Sequence, residues 1–434
     1  MRKARTATAL MSAGGFAITT AGAAGTGSAS PTSPHSAHVR PAGISFGRAA
    51  EIRLPANASA KQLAFLATVD CQRGGECVAG GGYESRAGSG IREQPMIVTE
   101  SRGRWARARE LALPSPKQGY LASIDCTGPG SCMAAGDYIV PAGNSAGFVV
   151  TESRGRWGPV RRLFPPRNAT IGARFSVNAL FCPQAGSCAA VGWYHDSRGA
   201  ETWVATETRG KWQAAREIRP PATSPASNRF ADPSSIACPR AGACVAVGSY
   251  QDVSGTLRAF AVSQSGGGWR PAVQVRPPGN AARFPDANLA SVSCPSGGAC
   301  VAAGDYAATA PPQQAMIATE SGGRWHQARA LTLLPPNASA TATSSLQAIA
   351  CPSVRSCVAV GIYDAAAGGI PAMYLTESAG IWRKASELAM PPNAATPFAV
   401  ELDAEDCSAS GFCAVVGSYF TTGVNSEAAM AALS

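Results

Sequence analysis

The sequence predicts an all-β ring assembled from one unit used seven times, and three observations lead there. Fourteen cysteines fall into seven pairs of identical spacing: Cys71 with Cys77, Cys126 with Cys132, Cys182 with Cys188, Cys238 with Cys244, Cys294 with Cys300, Cys351 with Cys357, and Cys407 with Cys413. Their first members follow one another at 55 to 57 residues. Each unit reads as four short strands separated by turn residues, with no helical periodicity. The two ends of the chain each hold part of one unit and complete it together. A period of this length marks a solenoid, a propeller or an array, and units that need one another form a single domain.

Repeat six shows the strands in order. Residues 346–349 lead into Cys351 as a first strand, 352–356 turn, and 357–363 return as a second strand. A loop over 364–371 precedes a third strand at 372–377, a turn at 378–381, and a fourth strand from Trp382 to Leu388. A glycine lies four residues after every second cysteine: Gly81, Gly136, Gly192, Gly248, Gly304, Gly361 and Gly417. A tyrosine stands two residues further on, at Tyr83, Tyr138, Tyr194, Tyr250, Tyr306, Tyr363 and Tyr419. Trp105, Trp157, Trp212, Trp269, Trp325 and Trp382 open the fourth strands. Aromatic residues at fixed repeat positions read as packing between neighbouring sheets.

The ends argue for closure. The seventh unit stops at Leu433-Ser434, after its third strand, and the segment 43–55 matches 103–114. Phe46 stands nine residues before Pro55, as Trp105 does before Pro114. A ring needs such a clasp and an open solenoid does not, and closure leaves only short protected strand edges. The predicted architecture is a seven-bladed β-propeller of four-stranded blades, one disulfide per blade, with the last blade closed by the N-terminal strand. It occupies residues 42–434 as one domain, expected to be monomeric.

Residues 1–29 read as a secretory signal: a basic start at Met1–Arg5, an uncharged stretch with Leu10, Met11, Phe16 and Ile18, and small residues at Ala21–Ala23 and Gly27–Ala29. The stretch is too rich in Gly, Thr and Ala for a membrane anchor, so no span is expected after cleavage. Residues 30–41 read as a disordered Ser/Pro/His linker. Export and an even cysteine count agree, because exported compartments oxidise thiols. The five-residue spacing is not that of zinc sites, and four histidines are too few to complete them. Seven intra-repeat disulfides are expected, with no metal and no cofactor. Each closes a seven-residue loop, worth roughly 2 kcal/mol by chain entropy.

With the cysteine hairpin, the Gly-x-Tyr and the Gly-x-Trp recurring together, the chain resembles secreted bacterial seven-bladed β-propeller repeat proteins. The turns Ser101–Trp105, Ser153–Trp157 and Ser321–Trp325 are also similar, distantly, to the Asp-box turn of sialidase-type propellers, without its aspartate. The resemblance implies the fold and leaves the activity open.

The two faces of such a ring differ. The cysteine turns and Ser-x-Gly-x-Trp turns are short and uniform. The opposite loops, 84–93, 139–146, 195–201 and 251–257, vary, and varied loops on a rigid scaffold are where binding resides. Lys61, Lys117, Arg174, Arg229 and Arg283 lie 8 to 11 residues before the first cysteine of five successive blades, three of them before Phe175, Phe230 and Phe284. This arc is the expected ligand contact, since guanidinium groups hold carboxylate, sulfate or phosphate. The formal net charge of +10 fits an anionic extracellular polymer, although three of the cations belong to the signal. No base-reading motif points to specific nucleic-acid binding.

Asp70, Asp125 and Asp406 precede cysteines in blades one, two and seven, and are expected as solvated acids of the channel, with cation binding as the alternative. Glu405 stands where other blades carry aliphatic residues. Gly143–Gly147 matches Gly-x-Ser-x-Gly, but between two strands and not at a strand-to-helix elbow. His195 and the acids Glu84, Asp196, Asp232, Asp252, Asp286 and Asp364 share the varied face without singling out a catalytic pair. The sequence therefore points to a secreted, non-catalytic scaffold binding an extracellular glycan, anionic polymer or protein. A sialidase-like glycoside hydrolase or lyase is the alternative.

Overall fold

The computed structural model describes residues 44–434 except 60–62, 73–75, 88–89, 114–117, 141–143, 173, 398–399 and 423–426. The signal, the linker, Lys61 and Lys117 lie outside the described residues. No described residue is helical.

Seven antiparallel meanders follow one another. Blade one comprises Ala64–Cys71, Cys77–Ala87, Gly90–Ser101 and two outer pieces, Arg104–Trp105 and Arg109–Glu110. The predicted fourth strand is thus split in two. In blade six Ile381–Trp382 pairs with Glu377–Ser378, and Ser386–Glu387 pairs with Met373–Tyr374, so the chain leaves the ladder briefly between them. The predicted loops of blades one and three are largely extended hairpins, in register as far as Ala87↔Gly90 and Asp196↔Gly199.

Blade seven contains Val400–Cys407, Cys413–Phe420, Glu427–Leu433 and, from the other end of the chain, Ala50–Glu51. Ala50 pairs with Ala431 and Glu51 with Met430. The N–H groups of Gly47 and Ile52 extend the clasp by donating to the Leu433 and Ala429 carbonyls, both at 2.9 Å. Phe46 takes the tryptophan slot and packs edge-on against Tyr374 of blade six at 5.0 Å.

Each seam between blades has its own apolar core, and the seam of blades seven and one is like the others: Val416, Ala429 and Ala431 meet Leu66, Val69, Ala79 and Met96. All seven predicted disulfides are formed. Cys71 is bonded to Cys77, Cys126 to Cys132, Cys182 to Cys188 and Cys238 to Cys244. Cys294 is bonded to Cys300, Cys351 to Cys357 and Cys407 to Cys413. Each bond lies in the seam its blade shares with the preceding blade, and the tryptophans of the outer pieces pack into the same set of seams.

The recurring glycine has a steric cause. Every first strand carries a bulge, after Leu66 in blade one and Leu346 in blade six, which brings a carbonyl close to the second strand. A Cβ on Gly81 would lie 2.0 Å from the Phe65 oxygen, and one on Gly361 2.0 Å from the Ser345 oxygen. Only hydrogen fits. The bulge turns one extra residue of each first strand toward the channel.

Six of the seven recurring tyrosines, all but half-buried Tyr138, are buried clasps, as expected from their packing position. The Tyr83 hydroxyl bonds to Asn57 at 2.9 Å and Glu110 at 2.6 Å. Tyr363 repeats this with Asn337 and Glu387, both at 2.8 Å. Tyr419 bonds to Asn393 at 2.8 Å and to Glu51 of the N-terminal strand at 3.3 Å. The asparagine sits in a turn that opens the crossover, closed by Ala58 N–H to Pro55 C=O at 3.0 Å in blade one and Ala394 N–H to Pro391 C=O at 3.1 Å in blade seven. Crossover, second strand and outer strand are thereby tied together.

The turn face is equally regular. The Ser-x-Gly-x-Trp turns have positive φ at both central residues, 55° and 76° at Arg102-Gly103 and 60° and 82° at Gly266-Gly267. These are type I′ hairpin turns, whose twist suits the flanking strands. A non-glycine residue there costs about 1 kcal/mol. Their tips dock on the cysteine turns through Gly155 N–H to Gly130 C=O at 3.1 Å and Gly210 N–H to Gly186 C=O at 3.0 Å. The Glu100 carboxylate caps one such turn, accepting from Gly103 at 2.5 Å and Arg104 at 3.1 Å.

Candidate functional site

The first strands line the central channel and bond to one another round it. At its narrow end, toward the turn face, Asp406 accepts from the Cys71 N–H at 2.7 Å and Asp125 from the Cys182 N–H at 2.8 Å. Ser293 does the same for Cys351 at 3.0 Å. Deeper in, Thr68 accepts from Ile124 at 2.8 Å and Ser123 from Leu180 at 3.0 Å. Asp125 and Asp406 are therefore inter-blade clasps and not solvated acids, because each bridges to a strand that a β-ladder does not reach. Burial raises all three carboxyls, Asp70 well above its usual range, Asp125 to about 7 and Asp406 to about 6, and repulsion from neighbouring acids adds to the rise of Asp70 and Asp125. Glu405 is buried beside the Cys407–Cys413 bond with one oxygen lacking any partner, and burial raises its pKa strongly. Among the described residues no three carboxylates bring oxygens within 4.8 Å of one another, as a chelated cation would require.

The wide end opens among the varied loops and is richest in polar and aromatic groups at blades two to four. Tyr120 bonds to Asp137 at 3.2 Å, and Asp137 reaches across to the Ser176 hydroxyl at 2.5 Å and the Val177 N–H at 2.8 Å. Phe65 stands edge-on to Tyr120 at 6.3 Å. Trp193 occupies in blade three the position Asp137 holds in blade two, opposite Ser176, so it is directed toward blade four. It is partly exposed, with exposed His195 edge-on at 5.3 Å. Asn178 is the bulged residue of blade three. Its amide donates to Asp232 Oδ1 at 2.5 Å and the Pro233 carbonyl at 2.7 Å in blade four. The second oxygen of Asp232 has no hydrogen bond among the described residues, and burial lifts the Asp232 pKa to about 6 against the Asn178 bond. A carboxylate–amide pair offers hydroxyl recognition, and the indole of the paired strand offers an apolar ring face.

Of the predicted arc, Arg174 and Arg283 are exposed, and Arg283 lies over the Phe284 ring at 5.5 Å. Arg229 is largely engaged within the protein, with the Pro225 carbonyl at 2.7 Å and Glu201 at 3.2 Å. It belongs to a charged lock between blades three and four. There Arg198 also holds Asp196 at 2.6 Å and Glu217 at 2.7 Å, and Gly199-Ala200 pairs in parallel with Arg229-Phe230. Phe175 is buried and stacked on Trp203 at 4.6 Å, whereas Phe230 and Phe284 are exposed. Ser145, expected in a loop between two strands, instead opens the third strand of blade two. A cleft of about 710 Å³ lies apart from the mouth, at the outer edge between blades four and five, lined by Pro278, Asn280, His326, Gln327 and Arg329.

Asn178 and Trp193 were not foreseen. Trp193 had a signal: the slot between glycine and tyrosine is Gly82, Asp137, Ser249, Asp305, Ile362 and Ser418 elsewhere, so tryptophan is the outlier. Asn178 had none, because the bulge that exposes it comes from strand packing.

These features define a disulfide-stapled seven-bladed β-propeller with a polar, aromatic mouth on its variable face. No protein-family model matches the sequence, and no curated protein does. Among solved structures the fold is similar to a PL25 polysaccharide lyase, an ulvan lyase bound to -[GlcA(1-4)Rha3S]-, at 11% identity and TM-score 0.52 over 89% of this chain and 95% of that one. A second structure of a PL25 ulvan lyase gives 10% and 0.51 over 89% and 93%. An α-L-arabinofuranosidase from Fusarium graminearum gives 11% and 0.46 over 90% and 98%. At such identities the likeness is one of fold.

Proposed function

We propose that the protein is a secreted scaffold that binds an extracellular polysaccharide on its variable-loop face without cleaving it. The observation that carries this reading is the mouth at blades three and four, where Asn178 bonds to Asp232 across the seam and the second strand of blade three, paired with the strand of Asn178, carries partly exposed Trp193 with His195 edge-on to it. Exposed Arg174 and Arg283, with Phe284 beside Arg283, supply a rim for acidic groups on the same polymer. Lys61 and Lys117 are proposed to continue that rim. The shared fold of a lyase that is itself solved with an acidic oligosaccharide supports the ligand class. Seven disulfides support an oxidising, extracellular setting.

The test is binding of the mature protein to alginate, dextran sulfate, xylan and dextran at low and moderate salt. Trp193→Ala and Asp232→Asn are expected to weaken binding by about tenfold or more, roughly 1.4 kcal/mol. Arg174→Ala with Arg283→Ala should weaken it less and remove salt sensitivity. Arg229 is kept out of that pair, since its loss would take the hydrogen-bonded partner from buried Glu201 and leave only the longer ion pair to Arg198 at 3.6 Å. No binding to any of the four polymers, or release of new chain ends from a bound one, would sink the reading.

A further inference from the structure

The turn face carries charge that the scaffold does not need. In blades one to three the tips of the third-to-outer turns are Arg102-Gly103-Arg104, Arg154-Gly155-Arg156 and Arg209-Gly210-Lys211. All six cationic residues are exposed. Among the described residues none of them joins an ion pair; those pairs use Arg198, Arg229 and Arg258. The first residue of each tip sits at φ 55°, 52° and 53°. L-residues avoid that region and glycine suits it, and blades four and five place Gly266 and Gly322 there. The fold therefore accepts glycine at this position. Arginine is present against the backbone preference, in three consecutive blades, with its side chain exposed each time.

We propose that these three turn tips form a second binding surface, on the face opposite the mouth, which holds a linear acidic polysaccharide along blades one to three. Two cations per blade repeat round a rigid edge, because each tip in blades two and three is bonded to the cysteine turn beside it. Guanidinium forks suit carboxylate and sulfate groups. Trp105, Trp157 and Trp212, the aromatic residues next to the tips, are packed into the seams and offer no platform for stacked bases. No large apolar side chain is exposed at these tips for insertion into a membrane. This surface is independent of the mouth, so the protein would hold two chains at once and cross-link them.

The decisive variant is the triple change Arg102→Gly, Arg154→Gly and Arg209→Gly in the full mature protein. Dextran sulfate is the probe, with single-stranded DNA and anionic phosphatidylglycerol vesicles as comparison arms. The expected result is a higher melting temperature than wild type together with about tenfold weaker, less salt-sensitive binding to dextran sulfate. Trp193→Ala, measured in parallel, should leave that tip-dependent component unchanged, which separates this surface from the mouth. Unchanged dextran sulfate affinity in the triple variant overturns the proposal. So does a stronger tip-dependent affinity for DNA or for vesicles than for dextran sulfate.

Discussion

Carboxylates stand on the first strands of different blades at the two ends of the channel and do different work. At the narrow end Asp125 and Asp406 each accept a backbone N–H from the next blade, and the groups around them are turns that repeat with little change. At the wide end Asp232 is held by a side chain, Asn178, and keeps an oxygen uncommitted among loops that differ from blade to blade. The first arrangement serves the ring whatever the ligand. The second depends on what one seam happens to carry, and it can change without breaking the ring.

The comparison is sharpest where a substitution touches only one end. Gly361→Ala should have the largest effect, since its Cβ would sit 2.0 Å from the Ser345 oxygen at the bulge that shapes the wide end. A loss of about 4 kcal/mol or more is expected, seen as failure to yield folded protein, and near-normal thermal unfolding would refute the steric account. Replacing Cys407 and Cys413 together by alanine should cost roughly 2 kcal/mol in denaturant unfolding. A negligible cost would show that the ring, and not the staple, holds blade seven.

The acids differ in kind and predict a pH effect. Asp125 and Asp406 have folded pKa values of about 7 and 6, above the ordinary 3.8 of an unfolded chain. The native state then binds more protons between those limits. Their contribution to stability is full below pH 4 and is lost as pH rises through 6 and 7, at a slope of order 1 kcal/mol per pH unit. The melting temperature should therefore fall from pH 5 to pH 8. Asp125→Asn should flatten that fall more than Asp232→Asn, because Asp125 is also raised by Asp406; equal effects would erase the distinction between the two ends. The smallest effect is expected for Tyr83→Phe, which removes two hydrogen bonds outside the channel at about 1 kcal/mol. It should leave polysaccharide binding at the mouth unchanged.

Much of the ring was legible before any coordinates. Cysteine spacing gave the unit and its count, and the match of Phe46 to the tryptophan slot announced the clasp now seen between Ala50-Glu51 and Met430-Ala431. The recurring glycine and tyrosine were visible as positions, though not as a carbonyl contact and a hydroxyl clasp. The site was far less legible. Arg229 reads like Arg174 and Arg283 in sequence, yet Glu201 engages it, a partner 28 residues away. Asp70, Asp125 and Asp406 read as channel acids, and only the approach of neighbouring first strands made clasps of two of them.

The sequence by itself determined what repeats: a local pattern of strands, turns and staples, because hairpin geometry depends on residues a few positions apart. Tertiary structure decided what differs. Asn178 meets Asp232, and Trp193 is directed toward blade four, across a seam that joins units some 54 residues apart. A contact between blades is set by packing and twist, which no single repeat contains.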